Sequence, residues 1–181
     1  MKNPGVSSRP VEVYLASGVV KGQVVTRHRR LSDYLNADMG HGTIRLEAAE
    51  IRSLKTNRVS ERQLRILIYK QQILFVADLN SGNSIAAEDL GFNWAARVPH
   101  KVRMEVGTIW LEGEVHLVPG SELASFAEGK SSFIPLTKAR LINHHASEPR
   151  TFLINREKIN CLIAPSEAVQ MDLYETRSAQ N

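Results

Sequence analysis

The chain repeats itself, and this restricts its fold more than any other feature. Val11, Val13, Leu15, Gly22 and Val24 recur as Val102, Met104, Val106, Gly113 and Val115 at a constant offset of 91. Leu31-Ser-Asp-Tyr-Leu35 meets Leu123-Ala-Ser-Phe-Ala127 at an offset of 92. Residues 44–51 meet 134–141 at an offset of 90, and residues 67–73 meet 153–159 at an offset of 86. Four apolar blocks thus return in one order, and the offset slips only between blocks, where loops belong. Chance aligns one block easily, but four in order point to an internal duplication.

Each copy has the period of β-structure. Val102, Met104 and Val106 alternate with Lys101, Arg103 and Glu105, as in a half-buried strand. Ile44 and Leu46 alternate with Arg45 and Glu47, and Ile134 and Leu136 alternate with Pro135 and Thr137. Pro135 inside such a pattern predicts an edge or a bulge. Ser17-Gly18 and Gly107 mark turns between the first two strands. Residues 65–77 read as a hairpin turning at Lys70-Gln71-Gln72. Each copy therefore reads strand, strand, short helical turn (residues 31–36 in the first), strand, hairpin.

The predicted organisation is an N-terminal extension over 1–10, a first barrel over 11–78, a connector over 79–100, a second barrel over 101–165 and a tail over 166–181. Asn80-Ser-Gly-Asn-Ser84 is turn chemistry. Residues 85–90 suit a helical turn closed by Gly91, and Leu90, Phe92 and Trp94 suit packing on a barrel. In the tail, Ala168, Met171 and Tyr174 form a short helical pattern. A flat sheet of five short strands cannot hide two faces within about seventy residues, whereas a curled one hides its inner face and its edges. The expected fold is mainly β: two tandem five-stranded barrels related by internal duplication, with short helical turns.

These blocks resemble the Sm and LSm family of small five-stranded barrels. Gly22-Gln-Val24, Asp33-Tyr-Leu-Asn36 and Leu46-Glu-Ala-Ala-Glu50 resemble its first motif. Residues 68–73 and 154–159 are similar to its second, without the Arg-Gly pair. The resemblance covers both repeats, roughly three quarters of the chain. It implies the barrel fold, recognition through Asp33 and Asn36, and edge pairing that would let three chains build a pseudo-six-membered ring. Arg30-Leu-Ser-Asp-Tyr-Leu-Asn36 and Phe133-Ile-Pro-Leu-Thr137 also resemble stretches of bacterial proteins with a single such barrel and no assigned activity, which suggests a bacterial source.

Charge separates the copies. Residues 1–98 carry 14 basic and 9 acidic side chains, a net +5, and residues 99–181 carry 9 and 10, a net −1. Arg27-His-Arg-Arg30 stands where the second copy has Val118-Pro-Gly120, and Arg52, Lys55, Arg58 and Arg62 form a second basic stretch. Either the arginines are a solvated face meeting Asp33, Asp38 and Glu61, or they bind phosphate. The second reading makes Arg27, Arg29, Arg30, Tyr34, Asn36, Arg58 and Arg62 a candidate nucleic-acid surface, with Tyr34 stacking on a base. Ser32, Asp33 and Asn36 equally suit helix ends and turns.

Other chemistries find little support. Among His28, His41, His100, His116, His144 and His145 only the last two are close in sequence, and adjacent residues point apart, so no metal site is expected. No nucleophile elbow or phosphate-cradling loop occurs, so no catalytic residue and no cofactor are expected. Cys161 reads as a small hydrophobe on a strand, and Trp94 and Trp110 as packing residues. Arg27 and Arg30 have the spacing of the arginine pair in cyclic-dinucleotide receptors of the PilZ type, but no Asp-x-Ser-x-x-Gly stretch accompanies them. The longest apolar run is the five residues 73–77, and a net charge of +4 is modest for a nucleic-acid coat. A lone cysteine and the lack of an apolar leader fit the cytoplasm. The resulting expectation is a cytoplasmic, non-enzymatic binding or assembly protein. Its partner is another protein or a second copy of itself, or RNA through the first barrel. A small-ligand sensor or small enzyme is the rival.

Overall fold

A glycine and a bulge set the path of the chain in each half. The computed structural model describes residues 5–28, 30–37, 42–54, 56, 58–80, 97–142 and 149–164. Strand β1 (Ser7–Leu15) turns tightly into β2 (Gly18–Thr26), then come helix α1 (Leu31–Asn36), β3 (Thr43–Arg52), β4 (Val59–Tyr69), a 3-10 turn (Lys70–Gln72) and β5 (Ile73–Asp78). The second half runs β6 (Val98–Val106), β7 (Ile109–Leu117), α2 (Leu123–Glu128), β8 (Phe133–Leu141), β9 (Arg150–Asn155), a 3-10 turn (Arg156–Lys158) and β10 (Ile159–Ile163). The first strands start earlier than the sequence suggests, at Ser7 and Val98. The helical turn, Leu90, Phe92 and Trp94 of the connector, the tail pattern, and His41, His144 and His145 lie outside the described residues.

Ala48 and Lys138 both have φ of +48°, which L-residues seldom adopt. Each forms a bulge in the third strand of its half, where the register slips against the second strand. Opposite each bulge stands a glycine. A Cβ on Gly22 would lie 3.1 Å from the Glu47 carbonyl oxygen, and one on Gly113 would lie 2.8 Å from that of Thr137. The bulge presses the strands together, and only a residue without a side chain fits beneath it.

All ten strands form one antiparallel sheet in the order β10-β6-β7-β8-β9-β5-β1-β2-β3-β4. The five strands of each half follow the same order, yet neither half closes into a hydrogen-bonded barrel as the sequence suggested. In place of pairing with β4, strand β5 pairs with β9 of the other half, Phe75 opposite Ile154 and Val76 opposite Leu153. Residues 65–77 are likewise no hairpin: β4 pairs with β3, and β5 with β1 and β9. Four strand spacings would set β4 and β5 about 19 Å apart in a flat sheet. A 3-10 turn advances only about 2 Å per residue. Each half must therefore curl until its outer strands come near each other. The bond donors of β5 are then free for the other half, and pairing there buries the strand on both sides: all six residues of β5 are buried.

Two cores result, and they exchange side chains across the seam. The first-half core of Val11, Val13, Val24, Leu35, Ile44 and Leu46 also takes in Phe133 and Leu153 from the second half. The second-half core of Met104, Val106, Leu111 and Leu136 takes in Tyr14, Leu74 and Phe75 from the first. Tyr14 stacks on Phe75 with centroids 4.2 Å apart, and Phe75 on Phe152 at 5.1 Å. Burial beside Glu12, which accepts the Tyr14 hydroxyl, pushes that phenol well above its usual range.

Candidate functional site

The basic residues come from two separate places. Arg27 follows β2 directly and is exposed. Arg30 precedes α1, and its carbonyl accepts the Tyr34 N–H at 3.3 Å. Arg29 lies outside the described residues. Tyr34 is half-buried against the first core, its ring 6.1 Å from that of His28. Arg58 and Arg62 sit at the far end of the half. The Arg58 N–H donates to the Thr56 hydroxyl, and Arg62 Nε donates to Glu50 at 2.9 Å. Glu50 also accepts Arg52 at 2.8 Å, and these two guanidiniums, Arg52 first, hold its carboxyl below the usual range. Arg62 lies opposite Glu50, which lies opposite Lys21 of β2, and the Arg58 carbonyl accepts the Ser53 N–H beyond the end of β3, whereas Arg27 follows the end of β2. Six residue steps of strand, about 20 Å, separate Lys21 from Arg27. The two basic loops do not share a rim.

Asn36 is engaged elsewhere. Its Nδ2 donates to the Phe133 carbonyl at 2.8 Å, and its Oδ1 accepts the Phe133 N–H at 2.8 Å. The side chain thus acts as a short piece of strand joining α1 to β8 of the other half. Asn155, 3% exposed, does similar work from the second half: its Nδ2 donates to the carbonyls of Ile73 at 2.9 Å and Lys70 at 3.3 Å. Sequence reading gave Asn36 a recognition or turn role and passed over Asn155. An apolar block ending in asparagine before a turn was the available signal.

A cleft of about 350 Å³ lies where the halves meet, lined by Ala16, Ser17, Ser53, Leu54, Thr108, Ile109 and Leu141. Its polar side chains are hydroxyls, with no acid or base among these residues to activate them. Among the described residues no group of three His, Cys, Asp or Glu side chains is placed to hold a metal ion. Half-buried His116 shares a 2.8 Å hydrogen bond with the Thr137 hydroxyl, and desolvation holds its pKa below that of a free histidine. Cys161 is a free thiol on β10, half-buried. Trp110 is half-buried on β7. Among the described residues no helix is long and apolar enough to cross a membrane.

The edges of the sheet carry the most exposed apolar surface. Strand β4 spans eleven residues and, among the described residues, is hydrogen-bonded on one side only. Leu64 is 91% exposed, Leu67 62% and Tyr69 61%. At the other end of the sheet β10, among the described residues, pairs only with β6 and exposes Ile163. No protein-family model, curated protein or solved structure matches the chain.

Proposed function

We propose that this is a cytoplasmic, non-enzymatic assembly protein made of two duplicated Sm-like halves, acting through the open edges of its sheet. One observation carries the reading: a long edge strand exposes Leu64, Leu67 and Tyr69, and among the described residues its N–H and C=O groups have no strand partner on one side. Such an edge invites another strand, and proteins that stay single blunt it with lysines, prolines or a covering segment. The repeated strand order, the paired bulges at Ala48 and Lys138 and the sequence offsets support the duplication. The hydroxyl-lined cleft offers little to a sensor or enzyme. Light scattering on the purified chain across a concentration series tests the reading. Multiples of the 20.2 kDa chain mass are expected, and a single-chain mass throughout overturns it.

RNA binding is the second reading, favoured by the +5 charge of residues 1–98 and by exposed Arg27 beside the His28–Tyr34 ring pair. The contact then centres on Arg27, Arg29 and Arg30, because Arg58 and Arg62 stand at the other end of the half. Replacing the three by Ser lowers affinity for single-stranded RNA and flattens its salt dependence by at most about three phosphate contacts. Replacing Lys130, Lys138 and Arg140 has little effect. Absence of binding at low salt ends this reading.

A further inference from the structure

The internal seam has a counterpart that one chain cannot form. The offset of 86 that carries β4 onto β9 also carries β5 onto β10. Exchanging each seam strand for its counterpart turns the β5–β9 pairing into a β10–β4 pairing, and those are the two strands left at the ends of the sheet. We propose that they complete each other between molecules: β10 of one chain pairs antiparallel with β4 of a second copy, in the register of the internal seam. Phe75–Ile154 becomes Cys161–Ile68, Val76–Leu153 becomes Leu162–Leu67, and Ala77–Phe152 becomes Ile163–Ile66. These three pairs are apolar throughout, and the fourth, Asp78–Thr151, becomes Ala164–Arg65 at the rim of the contact.

Leu67 shows what the contact accomplishes. Its counterpart Leu153 is 4% exposed because it enters the core of the other half beside Val76. Leu67 has the same place in its half and no neighbouring core to enter, so it stands 62% exposed. In a second copy it would meet Leu162, which already packs against the second-half core. Charge favours the pairing, since it sets a half of net +5 against one of net −1. The contact is head-to-tail, so successive chains close into a ring or extend as a filament.

The outer seam is looser than the inner one. The places of Tyr14, Phe75 and Phe152 are held by Glu105, Cys161 and Ile66, and no aromatic stack forms there. The Asn36 clasp falls on Glu128, which has no amide N–H to donate. The chain is thus a fixed pair of halves, and association between chains is reversible.

This inference rests on the assembly reading, and cross-linking separates the two. In full-length protein carrying Cys161→Ser, the pair Leu67→Cys and Leu162→Cys puts two thiols on directly opposed residues. Opposed antiparallel residues have Cα atoms about 4.5–5.5 Å apart, within disulfide reach. Mild oxidation should give a ladder of linked chains on a non-reducing gel. The pair Leu67→Cys and Ile163→Cys is shifted by one residue and places the thiols on opposite faces, so it should stay monomeric. Oligomers by light scattering without the 67–162 link, or equal linking in both pairs, overturn this register and leave the assembly reading standing. A single-chain mass at every concentration overturns both. Leu67→Lys, at a site exposed in the single chain, should reduce the oligomer to one chain with an unchanged circular dichroism spectrum. An unchanged mass counts against the proposal.

Discussion

Strands β9 and β4 hold the same place in their halves and have opposite fates. In β9 the last four residues, Phe152 to Asn155, are all buried. In β4 the counterparts Leu67 and Tyr69 are mostly exposed, and only Ile68 is buried. Local sequence does not cause the difference, since both strands carry similar apolar blocks. The difference is whether a second half lies alongside. A curled five-stranded half leaves two strand edges that cannot satisfy each other, and fusing two halves removes one pair of edges and leaves the other.

The sharpest way to break this contrast is to empty the inner seam. Phe75→Ala removes the middle ring of the Tyr14–Phe75–Phe152 stack from a fully buried site. It should cost about 3–5 kcal/mol in urea unfolding, whereas Leu67→Ala in the single chain should stay within about 0.5 kcal/mol. Equal losses would mean that β4 is already covered.

The bulges give a finer comparison. Gly113→Ala would drive a Cβ to 2.8 Å from both the Thr137 carbonyl oxygen and the Leu136 side chain. Backbone must then move, at about 1–3 kcal/mol. Gly22→Ala meets its nearest neighbours at 3.1 and 3.2 Å and should cost less. Thermal melts of the two variants give the ranking, and the reverse order would show the first half to be the tighter.

Asn36→Ala strips two hydrogen bonds from the Phe133 backbone and should cost about 1–3 kcal/mol. Glu128→Ala, at the same place in the second half, should be nearly neutral. Chemical denaturation compares the two directly.

The smallest effect is a pH dependence confined to the second half. His116 is held neutral by desolvation, with the carboxylate of Glu114 opposing and the cations Lys138 and Arg97 assisting, and Val25 stands at its place in the first half. The folded pKa lies below the ordinary value near 6.5, so the unfolded chain takes up the proton first. The stability from neutral His116 is complete above about pH 6.5 and declines as pH falls toward the folded value. Unfolding midpoints of wild type and His116→Gln between pH 7.5 and 5 check the sign: the wild type should lose more. A variant with the same slope would remove His116 as the cause.

Much of the fold was legible because it is written locally. Alternation marked nearly every strand, and the helical turn at residues 31–36 stands where its apolar block placed it. The mistaken hairpin at residues 65–77 shows where legibility stops. A short turn between two continuous apolar runs looks the same whether the strands pair with each other or part to opposite edges of a curled half. Asn36 misled for a related reason: helix-end chemistry gave no hint that the amide reaches residue 133.

The sequence by itself determined the strands, their repeat, the glycines beneath the bulges and the unequal charge of the halves, because these depend on residue period, backbone freedom and composition. Tertiary structure alone decided that β5 pairs with β9, that Phe75 and Leu153 enter each other's cores, and that Leu67 is left outside. Hydrogen-bond partners in a sheet are set by which edges curvature brings together. That curvature arises from the whole half, and no single stretch of sequence carries it.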